Sequence, residues 1–341
     1  MLIGEVARRS GVSARMLRHY DALGLVAPTG RTSGGYREYS TDDLRRLFHV
    51  ESLRTLGLSL DEVKRALDEP AFAPVDLVDE LITHTRRRIA AEAELLTRLE
   101  HVAAAAPAGW RDTLGIVTLL QELGSESAAR RQQAVLSRDR SASLPVDALA
   151  EAALTEDDLN VLGALRWALA RADGRGLEVL AAGLDSSDAD VRRRATAAIA
   201  AVDSAQAREL LTRALDDVDM SVRTRAALAL GSRGSAHAVP VLVAMIVEGH
   251  LDVEAAEVLG VLTANDAPGD RATEAFELVL DNGAETSVRL RIAQALAEIP
   301  GPQALAVLTR LARDSDRTVA ATAAAISAAR ARKSGVDRPQ E

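Results

Sequence analysis

Arg15, Arg18 and His19 fall within the nine-residue string Ser13-Ala14-Arg15-Met16-Leu17-Arg18-His19-Tyr20-Asp21. Met16, Leu17 and Tyr20 recur along one helical edge, which leaves the two arginines and the histidine pointing outward. Guanidinium groups on an exposed helix face donate charge-assisted hydrogen bonds to phosphates and base edges. A second cluster follows in Arg31-Thr32-Ser33-Gly34-Gly35-Tyr36-Arg37-Glu38-Tyr39. A Gly-Gly turn flanked by alternating Tyr and Arg reads as a small β-hairpin carrying Arg31, Tyr36, Arg37 and Tyr39.

Other chemistry has few residues to work with. The chain has no Cys, so disulfides, thiolate metal sites and Cys nucleophiles are excluded. The six His are scattered, and no two share a helix face at the spacing a zinc pair needs. No Gly-rich phosphate loop follows a strand, and the carboxylates read as helix caps and solvated faces. The expectation is no metal site, no cofactor and no catalytic residue, hence not an enzyme. Charge is uneven: the chain carries −9, yet residues 1–58 hold nine Arg against six acids, a surplus of three that leaves −12 for the rest. A mildly basic, Tyr-bearing head on an acidic body points to a polyanion-binding module joined to a domain that avoids nucleic acid.

The elements that hold these residues are helical. Hydrophobic residues make up 48% and aromatics only 2%, a composition that suits helix-on-helix packing. Ile3, Val6 and Ala7 begin a first helix, Gly11 breaks it, and Ser13 caps the second. Thr41-Asp42-Asp43 caps a third helix to about Thr55, Gly57 ends it, and Ser59 caps a fourth over Leu60–Leu67. The longest apolar run, Val239–Val247, is too short to cross a bilayer, and no signal peptide is visible. These features predict a soluble, cytoplasmic, nearly all-α protein.

Residues 1–70 resemble the DNA-binding domain of the MerR family of transcriptional regulators. The strings that carry the likeness are IGEVARRSGVSARMLRHYDALGLV, GGYREYS and LRTLGLSLDEVKRAL, in the family's order and spacing. The resemblance implies a winged helix-turn-helix in which Ser13, Arg15, Arg18, His19 and Tyr20 face the major groove and its phosphates. Arg31, Tyr36, Arg37 and Tyr39 would then brace the wing on the DNA backbone. It also implies a homodimer on double-stranded promoter DNA, acting with RNA polymerase. Two positions depart from the family's habit: His19 stands where Tyr is usual, and Glu38 where a basic residue is common. Both departures imply a weaker grip on the DNA backbone.

From 74 to 106 an apolar residue returns every seven: Val75, Ile82, Ile89, Leu96 and Ala103. Val78, Thr85, Glu92, Leu99 and Ala106 follow three residues after each, a heptad seam with two polar flaws. The period predicts a coiled-coil dimerisation helix over 74–106, with Val75, Ile82, Ile89, Leu96 and Leu99 in the seam; MerR-like proteins pair such helices antiparallel. Trp110, just past it, is expected to pack there.

Beyond the helix the sequence repeats. Asp188-Ala189-Asp190-Val191-Arg192 and Asp219-Met220-Ser221-Val222-Arg223 are clear copies; the landmark recurs as Val288-Arg289 and more loosely as Val319-Ala320, Leu159 fits an earlier copy and Leu251 an irregular one between 222 and 288. The acid before each landmark caps a helix where it is Asp. These units resemble HEAT-like repeats, an α-solenoid of paired helices over 113–331, with Trp167 in its core and a disordered tail over 333–341. Arg192, Arg223 and Arg289 are expected to pair with acids of adjacent repeats. Two functions follow. In one, the solenoid senses a small apolar ligand or a partner and alters promoter DNA conformation. In the other, it is a scaffold that binds another protein while the head localises it on DNA.

Overall fold

The computed structural model describes residues 1–69, 74–137, 143–263 and 267–336, with side chains described except at 74–77, 267–270 and 333–336. The chain divides into two compact units, Met1–Leu96 and Thr97–Glu341.

In the first unit α1 (Ile3–Ser10) and α2 (Ala14–Ala22) meet at a tight turn. Gly11 makes that turn in the left-handed conformation, φ 75°, with its amide returned to the Ala7 carbonyl. Ser13 then caps α2 by accepting from the Met16 amide at 3.2 Å. Strands β1 (Gly30–Arg31) and β2 (Arg37–Glu38) pair antiparallel, Gly30 opposite Glu38 and Arg31 opposite Arg37. Helices α3 (Thr41–Thr55) and α4 (Leu60–Asp68) each open on a reciprocal capping box, Ser40 with Asp43 and Ser59 with Glu62. The cap of α3 is therefore Ser40, one residue before the Thr41 expected. Val6, Leu17, Tyr20, Leu25, Tyr39, Leu47, Val50 and Val63 form one buried core. Helix α5 (Pro74–Ala104) follows, 31 residues or about 45 Å long.

The second unit is built of paired helices in chain order. They are α6 (Trp110–Leu123), α7 (Ala128–Leu136), α8 (Val146–Thr155), α9 (Leu159–Ala170), α10 (Leu177–Leu184), α11 (Ala189–Ile199) and α12 (Ala205–Ala214). After them come α13 (Met220–Ser232), α14 (Val239–Glu248), α15 (Asp252–Thr263), α16 (Ala267–Asp281), α17 (Thr286–Ala295), α18 (Pro302–Leu311) and α19 (Arg317–Val336). Helices α9, α11, α13, α15, α17 and α19 each pack on the next of their own row, and one apolar core runs from Leu119 to Ala323. Asp158, Asp188, Asp219 and Asp316 each accept from the amides that open α9, α11, α13 and α19. Small residues let the rows close up: a Cβ on Gly260 would lie 2.7 Å from the Glu298 carbonyl oxygen.

Several expectations change in three dimensions. Leu159 is 79% exposed while Val161 is fully buried, so the repeat copy starts two residues later than the sequence suggests. Glu156-Asp157-Asp158 offers three candidate caps, and Asp158 takes the role. Leu251 is likewise exposed, with φ 49°, and Ala255 holds the buried position. Trp167 is not core: it is 43% exposed with the Arg171 guanidinium 4.4 Å from its ring centroid. Trp110 is exposed as well. Arg192 and Arg289 pair with Asp217 and Asp314, but among the described residues Arg223 bonds to the Asp217 and Val218 carbonyls and to no acid. Arg131, in a copy whose Val is replaced by Arg130, makes the same kind of pair with Glu156 at 2.7 Å. Helix α19 continues through 333–336, which the sequence assigned to a tail; 337–341 lie outside the described residues.

Candidate nucleic-acid interface

The outward face of α2 is built by what α2 buries. Leu17 and Tyr20 sit in the head core, fully shielded, and this fixes the rotation of the helix. Arg15, Arg18 and His19 are thereby exposed, and neither arginine makes a hydrogen bond or ion pair among the described residues. Ser13 is exposed at the N-cap, its oxygen engaged with the Met16 amide.

Tyr20 does not face outward. Its ring is 0% exposed, its hydroxyl donates to Glu51 at 2.8 Å and accepts from Arg54 at 3.0 Å, and burial pushes the phenol above its ordinary pKa. Tyr39 is also buried in the head core, and burial raises its phenol too. Both leave the set of candidate DNA contacts. Position decides this: Tyr20 lies on the buried edge of α2 with Leu17, and Tyr39 on the side of the wing that meets the core, whereas Tyr36, with the same ring, stays exposed.

The wing keeps Arg31 and Tyr36 on its surface, Tyr36 at 68% exposure. Its turn closes through Gly35 in the left-handed region, φ 79°, whose amide donates to the Thr32 carbonyl at 2.9 Å. Arg37 is a fastener: its Nε donates to Asp21 of α2 at 2.7 Å, with both side chains largely covered. A second tie runs from Thr29 to Asp43 of α3, amide and hydroxyl both donating to one carboxylate oxygen. Burial alone would raise the Asp43 pKa, but hydrogen bonds from Thr29 and Ser40 outweigh it and hold it below the usual carboxylate range. Lys64 donates to the Leu23 carbonyl and Arg46 to that of Leu25, fixing the segment between α2 and the wing. Nothing in the sequence signals the ties between Asp21 and Arg37 or between Thr29 and Asp43. The partners in each stand 14 to 16 residues apart, beyond any local period.

On α5 the heptad positions Ile82, Ile89, Leu96 and Leu99 are all exposed, Ile89 at 62%. The Val75 side chain lies outside the described residues. Among the described residues no cluster of His, Asp and Glu is placed to hold a metal, and no helix is long and apolar enough to cross a membrane.

Residues 1–70 match the MerR HTH family regulatory protein domain and residues 177–263 match HEAT repeats. The chain is 38% identical over 109 residues to Heavy metal-dependent transcription regulator 2 of Rhizobium meliloti (strain 1021), a match covering 30% of this chain and 74% of that protein. It belongs to the MerR family. A second relative, the HTH-type transcriptional activator TipA of Streptomyces coelicolor, is 40% identical over 103 residues, covering 30% of this chain and 38% of TipA. Nodulation protein NolA of Bradyrhizobium sp. (strain NC92) is 38% identical over 103 residues, covering 29% of this chain and 42% of NolA. The chain thus spans about two fifths of the length of TipA and NolA. In this MerR-family chain a winged head and a long helix precede a solenoid of HEAT repeats.

Proposed function

We propose that this chain is a sequence-specific DNA-binding transcription regulator that works as a homodimer. The observation that carries the reading is the face of α2. Arg15 and Arg18 stand exposed, and unpaired among the described residues, on a helix held by its buried edge, its Ser13 cap and its tie to the wing. Such a helix suits the major groove, with base edges read by the two arginines and phosphates met by Ser13 and His19. Arg31 and Tyr36 on the wing meet the backbone, while Arg37 holds the wing against α2. The exposed seam Ile82, Ile89, Leu96 and Leu99 covers itself by pairing with the same helix of a second copy, with Val75 extending the seam. A two-fold dimer then reads a pseudo-palindromic site with half-sites about one helical turn, or a multiple, apart.

The repeat body responds to an effector and changes the conformation of promoter DNA, which RNA polymerase then engages. DNA deformation costs energy that contacts to the bent form repay. Membership of the MerR family supports this reading, as do the free cations of the head. The test is selection of duplexes from a random library by the full-length protein, followed by anisotropy titration of the selected site. Two-fold symmetric half-sites bound well above random duplex are the expected result. Equal affinity for selected and random duplex would sink the reading.

A further inference from the structure

The row of α9, α11 and α13 holds a groove of about 740 Å³, bounded by these helices and the Gly249-His250-Leu251 turn. Its charge is opposite to that of its surroundings. Arg166, Arg193, Arg194, Arg225 and His250 line it, and among the described residues no carboxylate does. Residues 59–341 as a whole carry the strongly negative balance of the chain. A cationic groove in an acidic domain is not scatter along one helix, because its arginines come from three.

Two of the four arginines have structural work. Arg193 sits on Asp219 at 2.5 Å and on Asp190 at 2.8 Å. Arg194 holds Asp157 at 2.5 Å and the Leu154 carbonyl at 3.1 Å. Arg166 and Arg225 have no hydrogen bond or ion pair among the described residues, and the Arg166 Nε is buried without an acceptor. Burial, and then the charge of Arg225, pull the Arg166 guanidinium below its ordinary pKa. A covered cation without a partner, next to a second one, costs stability unless something else satisfies both.

Arg194, Arg225 and Arg291 each stand six residues after the N-cap of their helices, at Asp188, Asp219 and Glu285. Arg194 reaches back to the Leu154 carbonyl at the end of α8, and Arg291 to the Ile246 and Val247 carbonyls at the end of α14. Arg225 has the same place in its repeat and makes no such bond. Its guanidinium is left to the groove.

We propose that this groove binds a small organic phosphate, its phosphoryl group held between Arg166 and Arg225 and its apolar portion laid over Met220, Leu228 and Leu251. Two guanidinium groups match a phosphate monoester, which carries close to two negative charges and offers three oxygens to planar N–H forks. The volume lies within the range of small-molecule sites. Tracking a DNA strand takes a longer row of free cations, and here two of the four are already neutralised.

The experiment is calorimetric titration of the full-length protein with octyl phosphate, inorganic phosphate, octanoate and octanol. Octyl phosphate is expected to bind at least about tenfold more tightly than the other three, tenfold being the effect of one modest charge-assisted contact. Arg225→Gln, on an exposed side chain, should lower that affinity about tenfold or more with the Tm of the unliganded protein kept. Arg166→Gln should abolish binding and raise the unliganded Tm, since it removes the unsatisfied cation. The proposal is overturned if octyl phosphate gives no heat at millimolar concentration, if Arg166→Gln/Arg225→Gln binds it as the parent does, or if octanoate binds more tightly. Displacement of bound octyl phosphate by a random duplex would also overturn it, in favour of a nucleic-acid groove. Affinity for the selected promoter site is measured in the same variants. Its retention when octyl phosphate binding is lost separates this site from DNA recognition by the head.

Discussion

In the head, Arg15, Arg18 and Arg31 are exposed and unpaired among the described residues; in the repeat body, Arg131, Arg192 and Arg289 each sit on a carboxylate 25 residues further along the chain. The same residue type does opposite work in the two regions. The head is small and has one apolar core, and among the described residues nothing packs over the faces that carry these three arginines, whereas Arg37 and Arg46 lie where elements meet and are paired with Asp21 and Asp68. A stacked solenoid places the opening turn of each helix beside the loop of the next repeat. An arginine there finds both an acid and the carbonyls of its own loop, as Arg192 finds Asp217 and the Ser186 carbonyl. Availability for a ligand is thus set by the neighbours an architecture provides. Arg166 and Arg225, though in the body, also stand without such a partner among the described residues.

The largest effect is expected from Ile89→Asp, which sets a charge in the proposed dry seam of α5, once from each copy. Burying an unpaired charge costs several kcal/mol, so light scattering should report monomer and DNA affinity should fall with it. A variant that stays dimeric would show that the seam is not the interface.

Arg18→Ala should remove about 1–3 kcal/mol of binding to the selected site and relax specificity at one position, with Tm unchanged. Arg192→Ala should do the reverse, lowering the Tm of the body and sparing DNA affinity at low temperature. Binding and melting curves of the two variants side by side test the division of labour directly. If both variants lose the same property, the division is wrong.

Gly260→Ala probes the tight packing of the body, since the new Cβ meets backbone at Glu298 and not a movable side chain. Urea denaturation should register about 1–3 kcal/mol of destabilisation, typical of overpacking. No shift in midpoint would mean the helices of the solenoid part at little cost.

Acid should act on the body through Asp219, whose pKa is lowered from 3.8 to about 2, chiefly by its hydrogen bond from Arg193. A carboxyl held low in the folded state stabilises fully above its unfolded pKa and loses that contribution as pH falls through the folded one. Melting temperature should therefore drop between pH 4 and 2, and Asp219→Asn should flatten that drop while keeping a competent helix cap. The smallest effect is expected at the wing. Arg37→Ala breaks a partly exposed pair with Asp21 worth about 0.5–1 kcal/mol. It should weaken DNA binding slightly through wing mobility, visible as altered Tyr36 resonances on titration.

Much of this protein was written locally. The helix starts at Ser13, Ser59, Asp188 and Asp219, the Gly11 turn, the Gly34-Gly35 hairpin and the seven-residue period of α5 depend on residues a few places apart. A sequence lists those in order, and the physics of caps, turns and helical faces acts over that range. The outward direction of Arg15, Arg18 and His19 was legible for the same reason. What local order left open, packing decided. Tyr20 has the residue type of a phosphate contact and Tyr39 that of a wing brace, yet each lies on a face that the core covers. Among Glu156, Asp157 and Asp158 only the stacking of neighbouring helices chose the cap, and with it Val161 over Leu159 as the buried residue. Arg37 and Asp21, Thr29 and Asp43, Arg166 and Arg225 are neighbours only after the chain has folded. Contacts between residues so far apart follow from which faces bury each other, and no period along the chain records that.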